Sequence, residues 1–303
     1  MMGVHCCAPI VLFVYNRPHH TRRTVEALRL NQLASKSDLI VYSDGYKNDD
    51  SFADVLAVRD YLKTITGFNS IEIIEREKNY GLAKSIISGV TDVVNKYGKV
   101  IVLEDDIVAD VMFLKYMNYS LDLYESSDNV WHVTGWNSPI GVVENNFCFF
   151  WSMMECWGWG TWKNRWSMFE KNKFNSIDEV KKIGIKKFNF FGTVPYYDQL
   201  LDNKEGSINT WAVYWYLSIF KNNGLCLAPY MSLVKNIGFD GSGENCQEKF
   251  FFNSESAKGS LEVVNYPVRI EVDPVVTREL RCFFKKQYGF SFWIKRFLRR
   301  TFL

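Results

Sequence analysis

The chain has 303 residues, 47% of them hydrophobic, which is enough to bury a large core in one α/β domain or two closely fused ones. Its formal charge of +2 carries no global bias toward nucleic acid or acidic partners, so no nucleic-acid partner is expected. Seven cysteines, an odd number without a CxxC pair of zinc-like spacing, favour a reducing compartment over a disulfide framework, and no window approaches the roughly 20 apolar residues of a membrane-spanning helix.

Residues 9–15 read as a first buried strand. The apolar run there is short and passes straight into Asn16-Arg17, which suits a strand and not a signal peptide. Residues 21–30 read as a helix with Val25 and Leu28 on one face. Residues 38–42 form a second strand that stops at the turn signature Ser43-Asp44-Gly45. A second helix over 54–65, a third strand over 70–75 and a third helix over 81–97, with Leu82, Ile86, Ile87, Val90 and Val94, continue the alternation. Strand four, 100–103, is followed by a helix over about 111–125 and a further strand over 129–135. This βα alternation predicts a doubly wound, mostly parallel sheet flanked by helices.

Beyond residue 135 the alternation is lost. Residues 1–135 are read as the first half of a single domain, 136–260 as a second half built onto the same sheet, and 261–303 as a C-terminal extension. The basic stretch 181–187 reads as a solvated connector. Aromatic residues make up 16% of the chain, with most of the ten tryptophans between 131 and 215, serving as core or as a wall for sugar rings.

The chemistry concentrates at strand ends, where open α/β sheets bind their ligands. Strand four delivers three consecutive carboxylates, Glu104-Asp105-Asp106. Buried carboxylates need cations, and hard oxygen ligands suit magnesium or manganese bridging a diphosphate. Arg17 after strand one and Asp44 after strand two complete a nucleotide-diphosphate site. No GxGxxG follows strand one, which counts against a dinucleotide-binding unit. Gly81 opens a helix whose first amides could face a phosphate or a sugar hydroxyl, with Lys84 adding a cation. Alternating Trp and Gly over 157–162 make a poor regular element but a good ring-lined wall. Asp240-Gly241-Ser242-Gly243 is flexible enough to close over a ligand. His132 reads as a satisfied core residue.

Together, in order and spacing, Phe13-Val14-Tyr15-Asn16-Arg17-Pro18, Ser43-Asp44-Gly45, Asn79 to Ser85, Leu103 to Asp106, Trp157 to Trp162 and Lys235 to Gly243 resemble a GT-A-fold inverting glycosyltransferase. The likeness is to the N-acetylglucosaminyltransferase I-like group and its bacterial polysaccharide relatives, over roughly residues 8–250. It implies a GT-A-like sheet in a single catalytic domain, with 1–135 as its nucleotide-sugar-binding half and 136–260 as its acceptor-binding half, a divalent metal (manganese or magnesium) on Asp106, and Glu104 and Asp105 on ribose and donor sugar. It implies Arg17 near diphosphate or ribose, Asp44 on the base edge, Trp159 and its loop beside donor sugar and acceptor, and Asp240 in a closing loop. UDP-sugar is the favoured donor, with a saccharide or lipid-linked saccharide as acceptor.

An inverting transfer also needs a base to deprotonate the acceptor hydroxyl. The family's Asp corresponds to a position in Ile208 to Val213, which holds no acid; Asn209 stands there, and a neutral amide cannot take a proton. Asp198, Asp202, Glu205 and Glu155 are the substitutes, and apolar neighbours would raise Glu155 toward a useful base. From Phe283 to Leu303 the chain carries six Lys and Arg and no acid, a basic amphipathic tail that suits either an anionic membrane interface or the protein's own surface. The expectation is a cytoplasmic enzyme, peripheral on the inner leaflet. A sugar nucleotidyltransferase and a non-catalytic carbohydrate- or nucleotide-binding protein are the alternatives.

Overall fold

Alternating aliphatic side chains make β1 (Ile10–Val14) a strand buried on both faces: Ile10, Leu12 and Val14 enter one core, Val11 and Phe13 the other. The computed structural model describes residues 6–140, 148–171, 176–241 and 265–289. After β1, α1 (Pro18–Arg29) starts on a proline at its first position and buries Thr21, Thr24, Val25 and Leu28. β2 (Asp38–Ser43) leads to α2 (Asp49–Leu62), whose first turn is closed by a reciprocal cap between Asn48 and Ser51. β3 (Ser70–Glu75), α3 (Leu82–Tyr97) and β4 (Lys99–Glu104) complete three βα units. These four strands are parallel, with Phe13 level with Tyr42 on one side and Glu104 on the other, so the strand ends align.

The chain then leaves the simple alternation. β5 (Ile107–Ala109), α4 (Phe113–Leu123), β6 (Val130–Thr134), β7 (Cys148–Trp151) and β8 (Trp159–Trp162) follow. After them come α5 (Lys163–Trp166), α6 (Ser176–Ile183), α7 (Ile185–Phe188), α8 (Tyr196–Lys204), α9 (Ala212–Lys221), β9 (Leu225–Pro229), β10 (Val234–Asn236) and α10 (Pro274–Gln287). The eight-stranded sheet has the order β3-β2-β1-β4-β8-β6-β9-β7, with β8 and β7 antiparallel to their neighbours, and β5 and β10 form a separate antiparallel pair. It is an α/β fold with a mixed, mostly parallel sheet flanked by helices. α3, α9 and α10 cover one face; α1, α2 and α4 cover the other.

Two expectations are corrected here. Residues 159–162 form a regular strand, because Trp159 packs into one core and Trp162 into the other, while Gly160 admits the Val100 carbonyl to a distance of 2.8 Å from where a Cβ would stand. Residues 181–187 belong to two short helices and not to a connector: Val180 and Phe188 are buried, and Gly184 at φ 121° separates the helices. The six described cysteines form no disulfide. Among the described residues no helix is long and apolar enough to cross a membrane. The tail beyond residue 289, including Lys295, Arg296, Arg299 and Arg300, and Cys246 lie outside the described residues.

Candidate active site

The carboxyl ends of β1, β2 and β4 open onto a cavity of about 510 Å³, within the range that takes a small organic ligand. Arg17 sits at the start of α1. The Thr21 hydroxyl donates to the Arg17 carbonyl at 2.9 Å, and the Thr24 hydroxyl donates to the Asp105 carbonyl at 2.8 Å, so one helix face fixes both. The Arg17 guanidinium then pairs with both acids, through Nη2 to Asp105 and to Asp106 Oδ2 at 2.9 Å. Burial opposes the charge on Arg17, yet the two aspartates outweigh it and hold the group more firmly protonated. Nη1 of Arg17 is buried without a partner among the described residues.

Asp106 is held from behind as well. Its carbonyl accepts from the Ile237 amide at 2.9 Å, beyond β10, and Gly238 packs against its carboxylate. Glu104 has no hydrogen bond to its carboxylate among the described residues; burial, then Asp106 and Asp105, push it up to about 8. Burial also raises Asp105, to about 6, against the pull of Arg17.

Could these groups hold a divalent cation? No group of three or more ligating side chains converges among the described residues. Magnesium, however, is ordinarily held by one or two carboxylates completed by phosphate oxygens and water. Glu104 and Asp106 offer that donor set, and the space that a side chain at 238 would fill is left to the Asp106 carboxylate. The residues fit such an ion bound together with a diphosphate.

Asp44 also lines the cavity, but its carboxylate is engaged. It accepts from the Gly45 amide at 3.0 Å, the Tyr80 amide at 2.8 Å and the Gly81 amide at 2.9 Å. The Gly81 amide, at the cap of α3, therefore points at Asp44. Lys84 does not reach the cavity: its Nζ stands 4.1 Å over the Tyr80 ring, outside Arg76, which stacks on Tyr80 and Tyr42 at 4.3 and 5.1 Å.

Glu155, Cys156 and Trp157, in the segment that runs into β8, line the same cavity. Burial lifts the Glu155 carboxyl to about 8, and the Cys156 thiol is raised well above its ordinary value, which leaves it neutral and a poor nucleophile. The Glu155 carbonyl accepts from Nε2 of His132 at 2.9 Å, while Nδ1 of His132 accepts from the Trp215 indole at 3.1 Å. His132 is thus a neutral core residue with a fixed tautomer, and burial lowers its pKa to about 3.

Trp159 is not part of the wall. It is 1% exposed and lies stacked between His132 and Trp211, at 5.3 and 5.1 Å, because strand alternation turns it into the core. The tryptophans that do line the cavity are Trp136, Trp157 and Trp211. Asp198 and Asp202 lie on α8 away from the cavity lining, Asp202 almost fully buried; Glu205 follows α8 and is exposed. Asp240 pairs with Nε2 of His20 at 3.1 Å, outside the lining, and Ser242 and Gly243 lie outside the described residues. Asn209 does line the cavity, its side-chain Oδ1 accepting from Nζ of Lys171. Sequence reasoning passed over Tyr196, Gln199, Gln287 and Tyr288; nothing in the local sequence around α8 and α10 marks them.

No family model and no curated protein matches the chain. Solved structures similar to it include S. aureus TarS, at 14% identity and TM-score 0.31, over 46% of this chain and 24% of that one. The chain thus spans about a quarter of that protein's length. The mannosyltransferase PcManGT from Pyrobaculum calidifontis, in complex with GDP-Man and Mn2+, is 9% identical over 71% of this chain and 68% of that one, at TM-score 0.40. The galactosyltransferase LgtC, in complex with donor and acceptor sugar analogues, is 10% identical over 73% of each chain, at TM-score 0.35. The likeness is to GT-A-like glycosyltransferase structures at low identity and distinguishes no subgroup.

Proposed function

We propose that the chain is a metal-dependent inverting glycosyltransferase that moves a hexosyl or N-acetylhexosaminyl group from a nucleotide diphosphate, with UDP favoured, to a saccharide acceptor. The observation that carries this is that one cavity is lined by two kinds of acid: an Arg17-bound cluster at the end of β4, and Glu155, which pairs with no cation among the described residues.

The roles follow from those environments. Glu104 and Asp106 would hold a divalent cation, which when bound supplies Lewis-acid stabilisation to the departing diphosphate. Arg17 adds a fixed positive charge beside the same phosphates. Glu155 takes the proton from the acceptor hydroxyl as that oxygen forms its bond to the anomeric carbon and the diphosphate leaves from the opposite face. A carboxyl lifted to about 8 by burial suits this, because a base works best with a pKa near the operating pH. Trp157 and Trp136, edge to face with centroids 4.6 Å apart, offer apolar faces that keep water from the reacting centre.

The acceptor class, surface polysaccharide assembly with a lipid-linked saccharide, is suggested by the basic residues beyond 289, which would lie on the cytoplasmic face of an anionic membrane. Titration calorimetry of UDP and GDP with and without manganese tests the donor site. Metal-dependent binding that is abolished by Asp106→Ala is expected; binding of neither nucleotide would overturn the transferase function. The anomeric configuration of the product, read by NMR, tests inversion.

A further inference from the structure

Part of the cavity wall is unused by the chemistry above: Tyr196 and Gln199 of α8, Trp211 before α9, and Phe284, Gln287 and Tyr288 at the end of α10. α10 is pinned at its start to the edge of the sheet. Val272 bridges Phe150 of β7, and the Asp273 amide donates to the Phe150 carbonyl at 2.9 Å. The Asp273 carboxylate caps the amides of Val275 and Val276 and accepts from the Tyr230 hydroxyl at 2.9 Å. Val276, Leu280 and Phe284, each four residues apart, are buried along one face.

The end of the helix is fixed by an unusual receiving surface. Phe284 meets Phe190 at 6.2 Å and Arg281 stacks over Phe191 at 4.5 Å; these two phenylalanines sit at φ 46° and 60°. Bulky residues avoid that conformation, so it persists only where packing imposes it. With its first turn and buried face held, α10 brings Gln287 and Tyr288 to the cavity.

Gln287 presents an unmet need there. Its Oε1 is buried and has no hydrogen-bond partner among the described residues, an arrangement that native proteins avoid unless a ligand or water completes it. The same cavity is lined by the rings of Trp211, Tyr196 and Tyr288, so an amide and several aromatic faces, the groups that suit a sugar, share one wall. The ionisation of the Tyr196 phenol is raised first by desolvation and further by both Glu155 and Tyr288, which places the three groups within electrostatic reach of one another.

We propose that the end of α10 forms the acceptor subsite, with Gln287 accepting a hydrogen bond from a saccharide hydroxyl through Oε1 and Tyr288 covering the C–H face of the ring, a role that rests on the transferase function above. Gln287 is then a specificity-determining residue, since a buried acceptor left unpaired penalises sugars lacking the matching hydroxyl.

Saturation-transfer NMR on the full chain with UDP and magnesium, plus the methyl glycosides of glucose, galactose, mannose and N-acetylglucosamine, tests this. At least one glycoside is expected to receive saturation. Gln287→Met and Tyr288→Leu should weaken that glycoside at least about fivefold while leaving the UDP signals intact. Thermal melting separates the roles: because the Gln287 oxygen has no partner to lose among the described residues, Gln287→Met should melt at or above the wild-type temperature. UDP binding with no glycoside binding, glycoside binding unchanged in both variants, or a lowered melting temperature for Gln287→Met each overturns the subsite. Absence of UDP signals in the wild type would instead remove the transferase function on which it rests.

Discussion

A Cβ on Gly238 would stand 2.2 Å from Oδ2 of Asp106, so the carboxylate keeps its position only because residue 238 has no side chain. Gly238→Ala must displace either the loop after β10 or the carboxylate. The expected result is a loss of manganese-dependent UDP affinity of at least about tenfold, since the ion's coordination tolerates little displacement. An unchanged dissociation constant by calorimetry would remove Asp106 from the site.

Arg17 neutralises two buried acids, whose side chains are only 6% and 7% exposed. Arg17→Met leaves them uncompensated, and breaking such a pair costs about 3–5 kcal/mol. Removing a charge on both sides is far milder, so Arg17→Met combined with Asp105→Leu should recover much of that loss. Urea denaturation of the four proteins in the cycle gives the coupling; additive effects would mean the pair is not the source of the penalty.

As the proposed base, Glu155 should set the pH dependence of the activity. Its carboxyl, ordinarily at 4.5, is lifted to about 8 by burial, so kcat/KM should rise with pH through about 8, and Glu155→Gln should abolish that limb with a loss of roughly 10²–10⁴-fold. Its titratable neighbours Cys156, Tyr196 and Cys226 are each pushed well up, chiefly by burial, and add no charge in that window. Stability moves the other way. A folded pKa above the unfolded one contributes stability that is complete below 4.5 and is lost as pH rises through about 8, because the unfolded chain gives up its proton first. Glu104 is raised to a similar value, so the change in slope on Glu155→Gln isolates the part due to Glu155. An identical slope in wild type and variant would contradict the assignment.

Asp44 acts through the backbone it holds. Asp44→Ala would strip the carboxylate from the amides of Gly45, Tyr80 and Gly81, at a cost of about 1–3 kcal/mol for the buried donors left unpaired. Hydrogen exchange at Tyr80 and Gly81 should accelerate, and α3 should lose its anchored start. Unchanged protection with weakened UDP binding would assign Asp44 to base recognition alone.

The first four strands and the acid cluster were legible because each strand is a short aliphatic run with a polar stop, and parallel pairing keeps those stops together. Beyond residue 135 the signal failed for a physical reason. β8 is four residues long with a glycine inside, and its place between β4 and β6 is set by partners about 60 and 30 residues away. Trp159 looked like a pocket residue because composition does not say which way a ring points; pairing register does. Asn209 and the end of α10 reach the cavity through tertiary packing, which no local pattern encodes.

The central position of β8 has a kinetic consequence. Glu104 ends β4 and Glu155 lies just before β8, so the two acids come to one cavity only once Val100 to Val102 has zipped against Trp159 to Thr161. Loop closure over such separations is slow relative to forming the local βα units. The first three βα units can therefore take shape early, whereas the complete cavity arrives with β8, and folding rate and recovery of the proposed activity should share one rate-limiting step.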